Sequence, residues 1–243
     1  MSRDRTSAIT EHLVRQIVKD RRSIGLIIVA PVIVMSLVGF SLTEQRATLD
    51  RVAPALMAVF VLFFTFILTG VSFLRERAQG TLERLMTTTV GCADILLGYL
   101  LGFMVFATVQ TIVILLFTIF VLRIDYQGNI FEIGAVLMLV VIVAVSLGIF
   151  ISTFARNEFQ VVQFIPIVFA PQVFLSGVII PVDQMPAVME GISNALPLTY
   201  AVKGLREIML QGHGLTEVWP ELGVLAAFGV SLLAAAAVTL RRT

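Results

Sequence analysis

The chain has 243 residues, 58% hydrophobic and only 14% charged, with a mean hydropathy of +0.99. A soluble domain carries roughly 25% charged residues, so this composition excludes a water-soluble globule and indicates an integral membrane protein. The net charge of +1 says nothing about nucleic acid, and there is no basic, aromatic-interleaved patch that would point to it; Cys92, the only cysteine, excludes an intrachain disulfide and a thiolate metal cluster.

Residues 1–23 are polar and basic, yet Ile9, Leu13 and Ile17 recur at i, i+4 and i+8 with Val14 and Val18 beside them. This spacing predicts an amphipathic helix, capped by Thr6 or Ser7. It is expected to lie in the membrane interface with its apolar stripe in lipid; the alternative is a solvated tail. The basic region is long, and Thr43-Glu44-Gln45-Arg46 follows the first apolar run where a cleavage site would carry small residues. That run is therefore expected to stay as an anchor.

Six uncharged runs follow, at about 24–42, 52–74, 95–122, 133–155, 159–182 and 222–240. Each approaches or exceeds the roughly 20 residues a spanning helix needs, and backbone in lipid must satisfy itself by being helical. With the N-terminus inside, the outer segments hold only Arg46, Arg51, Arg123, Lys203 and Arg206 of the 17 cations, so both termini are expected to be cytoplasmic. Between the fifth and sixth runs, 181–220 is broken by Pro181, Pro186, Pro197 and Pro220. Apolar residues at helical spacing predict two short helices, about 184–194 and 198–210, forming an outer hairpin that lies on or re-enters the membrane. A seventh span at 191–210 would have to bury Lys203, Arg206 and Glu207.

Chemistry is sparse. There is no G-x-x-x-x-G-K-[ST] phosphate loop, and the only lysines are Lys19 and Lys203. His12 and His213 fall on opposite sides of the membrane, so no histidine metal site is expected. The runs contain no Asp, Glu, Lys, Arg or His, which leaves an ion-coupled transporter without a proton carrier. A membrane-embedded enzyme would have only Asp183 and Glu190 as a nearby outer pair. Within the runs, Gln110, Gln163 and Gln172 form interhelical hydrogen bonds or, with Phe174, line a path. Gly98 and Gly102 make a GxxxG that permits close helix approach.

The charged stretch 75–90 sits between the second and third runs, on the cytoplasmic side. Gly80 breaks the emerging helix; Thr81 can cap a new one with Glu83 in its first turn. Leu82, Leu85 and Met86 give it a small apolar face, and Arg75, Glu76, Arg77 and Arg84 surround it with charge. Apolar anchors with charges that set register are the format of a docking helix.

The stretch Phe73-Leu74-Arg75-Glu76-Arg77-Ala78-Gln79-Gly80-Thr81-Leu82-Glu83-Arg84-Leu85 resembles the cytoplasmic E-R-x-x-G-T-L-E-x-L element of ABC-2 family ABC transporter permeases. Ser176-Gly177-Val178-Ile179-Ile180-Pro181, with Leu196-Pro197-Leu198-Thr199-Tyr200 through Arg206, resembles that family's segment after the fifth span. Leu196 stands where members often have Asn. The resemblance covers essentially the whole chain and is strongest to the daunorubicin-type antibiotic-resistance permeases. It implies an all-α integral membrane protein made of one 1–243 transmembrane domain. That domain has six transmembrane helices, an N-terminal interfacial helix, a cytoplasmic coupling helix at 75–90 and an outer re-entrant hairpin closing the path, with Pro181, Pro197, Tyr200 and Arg206 in it. It also implies a subunit in a prokaryotic plasma membrane that is no enzyme itself and exports cargo as a dimer. A separate ATP-binding subunit would carry ATP and Mg and grip Arg75, Glu76, Arg77, Gly80, Thr81, Leu82, Glu83 and Leu85.

Overall fold

The computed structural model describes residues 3–19, 21–42, 44–80 and 91–240, which are mostly helical and contain no strand. The elements are α1 (Arg3–Lys19), α2 (Arg21–Ser41), α3 (Arg46–Ala78), α4 (Cys92–Leu116), α5 (Ile130–Ser152), α6 (Glu158–Leu175), α7 (Ala187–Ser193), α8 (Pro197–Gln211) and α9 (Trp219–Leu240). A π-helical turn at Phe117–Val121 prolongs α4, and a 3-10 turn at Val182–Gln184 precedes α7. Among the described residues, five helical stretches are long and apolar enough to cross a membrane: Arg46–Ala78, Asp94–Val121, Ile130–Ser152, Glu158–Leu175 and Trp219–Leu240. Within α2, Ile28–Ser41 is a shorter apolar stretch.

Local chemistry sets the boundaries. Asn129 caps α5 by accepting the Phe131 N–H, and Asn157 caps α6 by accepting the Gln160 N–H. Glu132 and Glu158 occupy the first turns, where a carboxylate complements the helix dipole. Pro197 opens α8 at a position whose missing N–H costs nothing, and Gly212 closes it in the left-handed conformation at φ 69°.

The helices pack around α3 and α5. These two pack tightly at Gly148, where a β-carbon would stand 2.9 Å from Thr69 Cβ and 3.1 Å from the Phe66 carbonyl oxygen. Only a glycine permits that spacing. Three expectations change. The fifth apolar run extends to 182, but α6 stops at Leu175, because Gly177 adopts φ 77° and turns the chain before Ile179 and Ile180 can continue the helix. Arg3 is already helical, so Thr6 and Ser7 lie inside α1, where the Thr6 carbonyl accepts from the Thr10 hydroxyl. The stripe of α1 faces protein: Ile9, Leu13 and Ile17 are buried, the first two against the GxxxG of α4.

Within 181–220 the chain forms two helices, α7 and α8. The apolar face of α8 (Leu198, Ala201, Val202, Leu205, Ile208, Met209) is wholly buried, and the helix packs onto α3, α5 and α9. α7 stays largely exposed, with Val188, Met189 and Ile192 uncovered.

Candidate functional site

The last turn of α3 presents Arg75, Glu76 and Arg77 in succession. Consecutive residues on an α-helix point about 100° apart, so three neighbours at a helix end can reach three different partners. Arg75 donates from Nε and Nη2 to the two carboxylate oxygens of Glu158 at 2.6 and 3.0 Å, a bidentate pair at the start of α6. Glu76 turns the other way. Its carboxylate accepts from Gln16 Nε2 of α1 at 2.5 Å and from the Tyr99 hydroxyl of α4 at 3.1 Å. Arg77 donates from Nη1 to the Ser152 carbonyl at 2.7 Å, a carbonyl of the last turn of α5 that also accepts the Ala155 N–H at 3.3 Å.

Three residues therefore bind the end of α3 to α1, α4, α5 and α6. The two ends of the arrangement differ in kind. Arg75 and Glu158 are each about half exposed, so solvent screens that pair. Glu76 is 1% exposed, and a buried carboxylate is tolerable only because two donors meet it. A pocket of about 70 Å³ between α1 and α3, lined by Leu13, Gln16, Ile17, Leu68, Ser72, Arg75 and Glu76, adjoins it. Two residues after Ala78, Gly80 takes φ 71° and ends the helix. Thr81, Leu82, Glu83 and Leu85 lie outside the described residues. Of the expected docking residues, Arg75, Arg77 and Gly80 are thus at or near the surface, while the side chain of Glu76 is turned inward.

The residues expected along a path do not come together. Gln110 is completely buried in α4, and neither atom of its amide has a partner among the described residues. Gln172 is buried and accepts the Leu198 N–H at 3.3 Å, so it tethers the start of α8 to α6. Gln163 and Phe174 are exposed on one stripe of α6, with Pro166, Ile167 and Ala170. Phe174 also borders a cavity of about 360 Å³ between α2, α3 and α6, which Val34, Phe60, Phe63, Phe64 and Phe169 make wholly apolar.

In the hairpin, Pro181 precedes the 3-10 turn and Tyr200 donates its hydroxyl to the Asn194 carbonyl at 2.8 Å, bracing α8 against the end of α7. Lys203 pairs with the buried carboxylate of Glu221 at 2.7 Å. Sequence reasoning missed Gln16, Tyr99, Glu158 and Glu221 as partners. Glu158 carried a signal, since it follows a capping Asn157; Tyr99 sits inside an apolar run beside a GxxxG and carried none.

A family model described as "ABC-2 type transporter" matches residues 5–210. Similar proteins include the linearmycin resistance permease protein LnrN of Bacillus subtilis, 30% identical over 198 residues, which are 82% of this chain and 51% of LnrN. The inner membrane transport permease YhhJ of Escherichia coli is 29% identical over 186 residues, 75% of this chain and 49% of YhhJ. ABC transporter G family member 20 of Dictyostelium discoideum is 31% identical over 187 residues, 76% of this chain and 26% of that protein. The chain spans about half the length, or less, of these relatives.

Proposed function

This chain belongs to the ABC-2 type transporter family and is a multi-pass membrane protein, and from that premise we propose that it is the membrane-spanning subunit of an ATP-driven exporter. The observation that carries the reading is the strapping of α1, α4, α5 and α6 to Arg75, Glu76 and Arg77, directly before Gly80 and the 81–90 segment. A force applied to that segment would reach four other helices through direct hydrogen bonds. Closure of a pair of nucleotide-loaded ATPase subunits is the force this geometry suits, shifting the helices between two packed arrangements.

On this reading the stretch 75–90 is the coupling element, seated on a separate ABC ATP-binding protein that holds the ATP and Mg. Leu82, Glu83 and Leu85 make the contact, with Gly80 and Thr81 beside them, and Arg75 and Arg77 flank it. Glu76 acts from inside, as the anchor of the strap. The first run, 24–42, supplies a sixth span, and both termini are cytoplasmic. Two copies of the chain pair, and the exposed stripe of α6 with Gln163 and Phe174 faces the path between them. Gln110 and Gln172 serve packing. The apolar, phenylalanine-lined cavity beside Phe174 supports an amphipathic or lipid-like cargo, and the outer hairpin, held by Pro181, Pro197, Tyr200 and Arg206, closes the far end.

The test is co-purification of the ATP-binding protein expressed alongside the chain. Glu83→Lys and Leu82→Asp should each abolish co-purification while membrane insertion stays normal. Retained co-purification in both variants rejects the docking assignment.

A further inference from the structure

α3 is one helix of 33 residues, unbroken at Pro54. At about 1.5 Å per residue it runs roughly 50 Å from end to end. Its last turn carries the strap of Arg75, Glu76 and Arg77. Its first turns are bonded too, to the stretch 122–129 that joins the π-helical turn to α5. Arg46 donates from Nη1 to the Leu122 carbonyl at 2.9 Å, and Asp50 accepts the Asp125 N–H at 2.9 Å. The same stretch then reaches α8. The Gln127 N–H donates to the Met209 carbonyl at 2.9 Å. A β-carbon at Gly128 would overlap the Ile208 carbonyl oxygen and lie 3.0 Å from its carbonyl carbon, so backbone meets backbone there.

The stretch has a fixed shape although it is not helical. Leu122 and Ile124 are buried while Arg123, Asp125 and Gln127 are exposed, the alternation of an extended chain. Arg123 sits at φ 53°, a left-handed conformation that a residue with a side chain keeps only where its surroundings determine it. Leu122 is held on both sides: Arg46 bonds its carbonyl, and its side chain lies over Gly39 of α2, where a β-carbon would stand 2.7 Å from Cδ1. Met209 is in the last turn of α8, whose carbonyls lack donors within the helix. These bonds do what the buried apolar face of α8 cannot. Apolar packing is non-directional and lets one helix slide on another, whereas hydrogen bonds fix distance and direction.

We propose that 122–129 is a second strap, which ties the far end of α3 to α8 so that the outer hairpin follows α3 when its Gly80 end is moved. The proposal rests on the export reading above. Asp50 and Gly128 are its positioning residues: Asp50 holds the strap to α3, and Gly128 lets it lie against α8.

The test uses the full chain in complex with the co-expressed ATP-binding protein, with a bimane fluorophore on Val188→Cys in a Cys92→Ser background. Val188 is exposed on α7, and the Tyr200 hydroxyl of α8 bonds the Asn194 carbonyl at the end of α7, so the fluorophore reports on the hairpin. Iodide quenching is read without nucleotide and with a non-hydrolysable ATP analogue. The analogue should change quenching in the chain with its strap intact. Asp50→Ala should shrink that change about five-fold, the effect of one lost hydrogen bond, and Gly128→Val should do the same. ATP hydrolysis should stay at the unmutated rate in both. Asp50→Asn keeps an acceptor for the Asp125 N–H and should keep the full change. Asp50 is only partly buried, so Asp50→Ala carries the test by itself if Gly128→Val does not fold. Strap variants that respond like the intact chain overturn the proposal, as does an intact complex that ignores the analogue. Loss of the response in Asp50→Asn overturns it as well, because charge and not the hydrogen bond would then be at work. A fall in ATP hydrolysis that parallels the lost response marks a purely structural role and overturns it too. A complex that never forms rejects the export reading itself.

Discussion

The Tyr99 hydroxyl donates to the Glu76 carboxylate at 3.1 Å, in a contact between α4 and α3 that excludes solvent. The two rings of Phe73 and Tyr99 meet edge to face at 5.1 Å one turn away, so the phenol is held in place by packing as well as by its hydrogen bond. This makes the pair a rigid joint between two helices, and it can be broken with the loss of one oxygen atom. Tyr99→Phe leaves the carboxylate with Gln16 alone. Hydrogen bonds to charged groups contribute about 1.5–3 kcal/mol, and the variant should lose stability of that order in thermal denaturation in detergent. Combined with Glu76→Gln in a double-mutant cycle, the two losses should fall short of additive by at least about 0.5 kcal/mol. Additive losses would mean the bond carries no coupling between the helices.

Arg75 and Glu158 form the opposite kind of joint. Both side chains are about half exposed, and pairs of that kind contribute no more than about 1 kcal/mol. Arg75→Glu should therefore shift the melting temperature little. If the strap transmits motion, the same variant should reduce ATP-driven transport in vesicles several-fold, and the swapped pair Arg75→Glu with Glu158→Arg should restore it. Unaltered transport in the single variant would assign the bridge to surface charge alone.

Hydropathy made the long helices legible, because lipid leaves the backbone no alternative to helix. Proline and glycine made the hairpin legible: α8 starts at Pro197 and closes at Gly212. What escaped was which surface each face meets. The stripe Ile9, Leu13 and Ile17 has the same spacing whether it lies in lipid or on α4, and only the positions of Gly98 and Gly102 decide between them. The end of α6 escaped for a related reason. Ile179 and Ile180 are apolar and extend the run, but the positive φ of Gly177 is a backbone property that hydropathy cannot register. Glu76 looked like its charged neighbours in a docking surface, and its burial depends on Gln16 and Tyr99, residues distant in sequence.

The GxxxG of α4 gives a further prediction. A β-carbon at Gly98 would lie 2.8 Å from Ile9 Cβ, and one at Gly102 would lie 2.6 Å from Leu13 Cδ2. The Thr10 hydroxyl also bonds the Gly98 carbonyl at 3.1 Å, a contact that requires the close approach. Gly98→Leu should force α1 away from α4 and cost about 1–3 kcal/mol by overpacking. The number of chains in the purified particle, measured by light scattering, should not change. A particle that loses a chain while each chain keeps its stability would place the motif between copies instead.

Lys203 and Glu221 yield the prediction with a sign in pH. The hydrogen bond that Lys203 donates to Glu221 is the largest cause raising the Lys203 pKa above its ordinary value; burial works against it, and the charges of Glu221, Glu207 and Tyr200 add to it. A lysine whose folded pKa exceeds its unfolded one contributes stability that is complete below the unfolded value, about 10.4, and fades as pH rises through the folded value. The advantage of the wild type over Lys203→Met should therefore be flat from neutral pH to about 10 and shrink above that. Its size is limited because the ammonium is 60% exposed, whereas the carboxylate it serves is 7% exposed. After allowance for solvent screening, the single variant should cost about 1–2 kcal/mol, mostly from leaving Glu221 buried without its cation. Adding Glu221→Gln should recover most of the loss, because replacing both members of a buried pair removes the stranded charge. If the double variant is as unstable as the single one, the pair matters for its packing of α8 on α9, and charge is secondary.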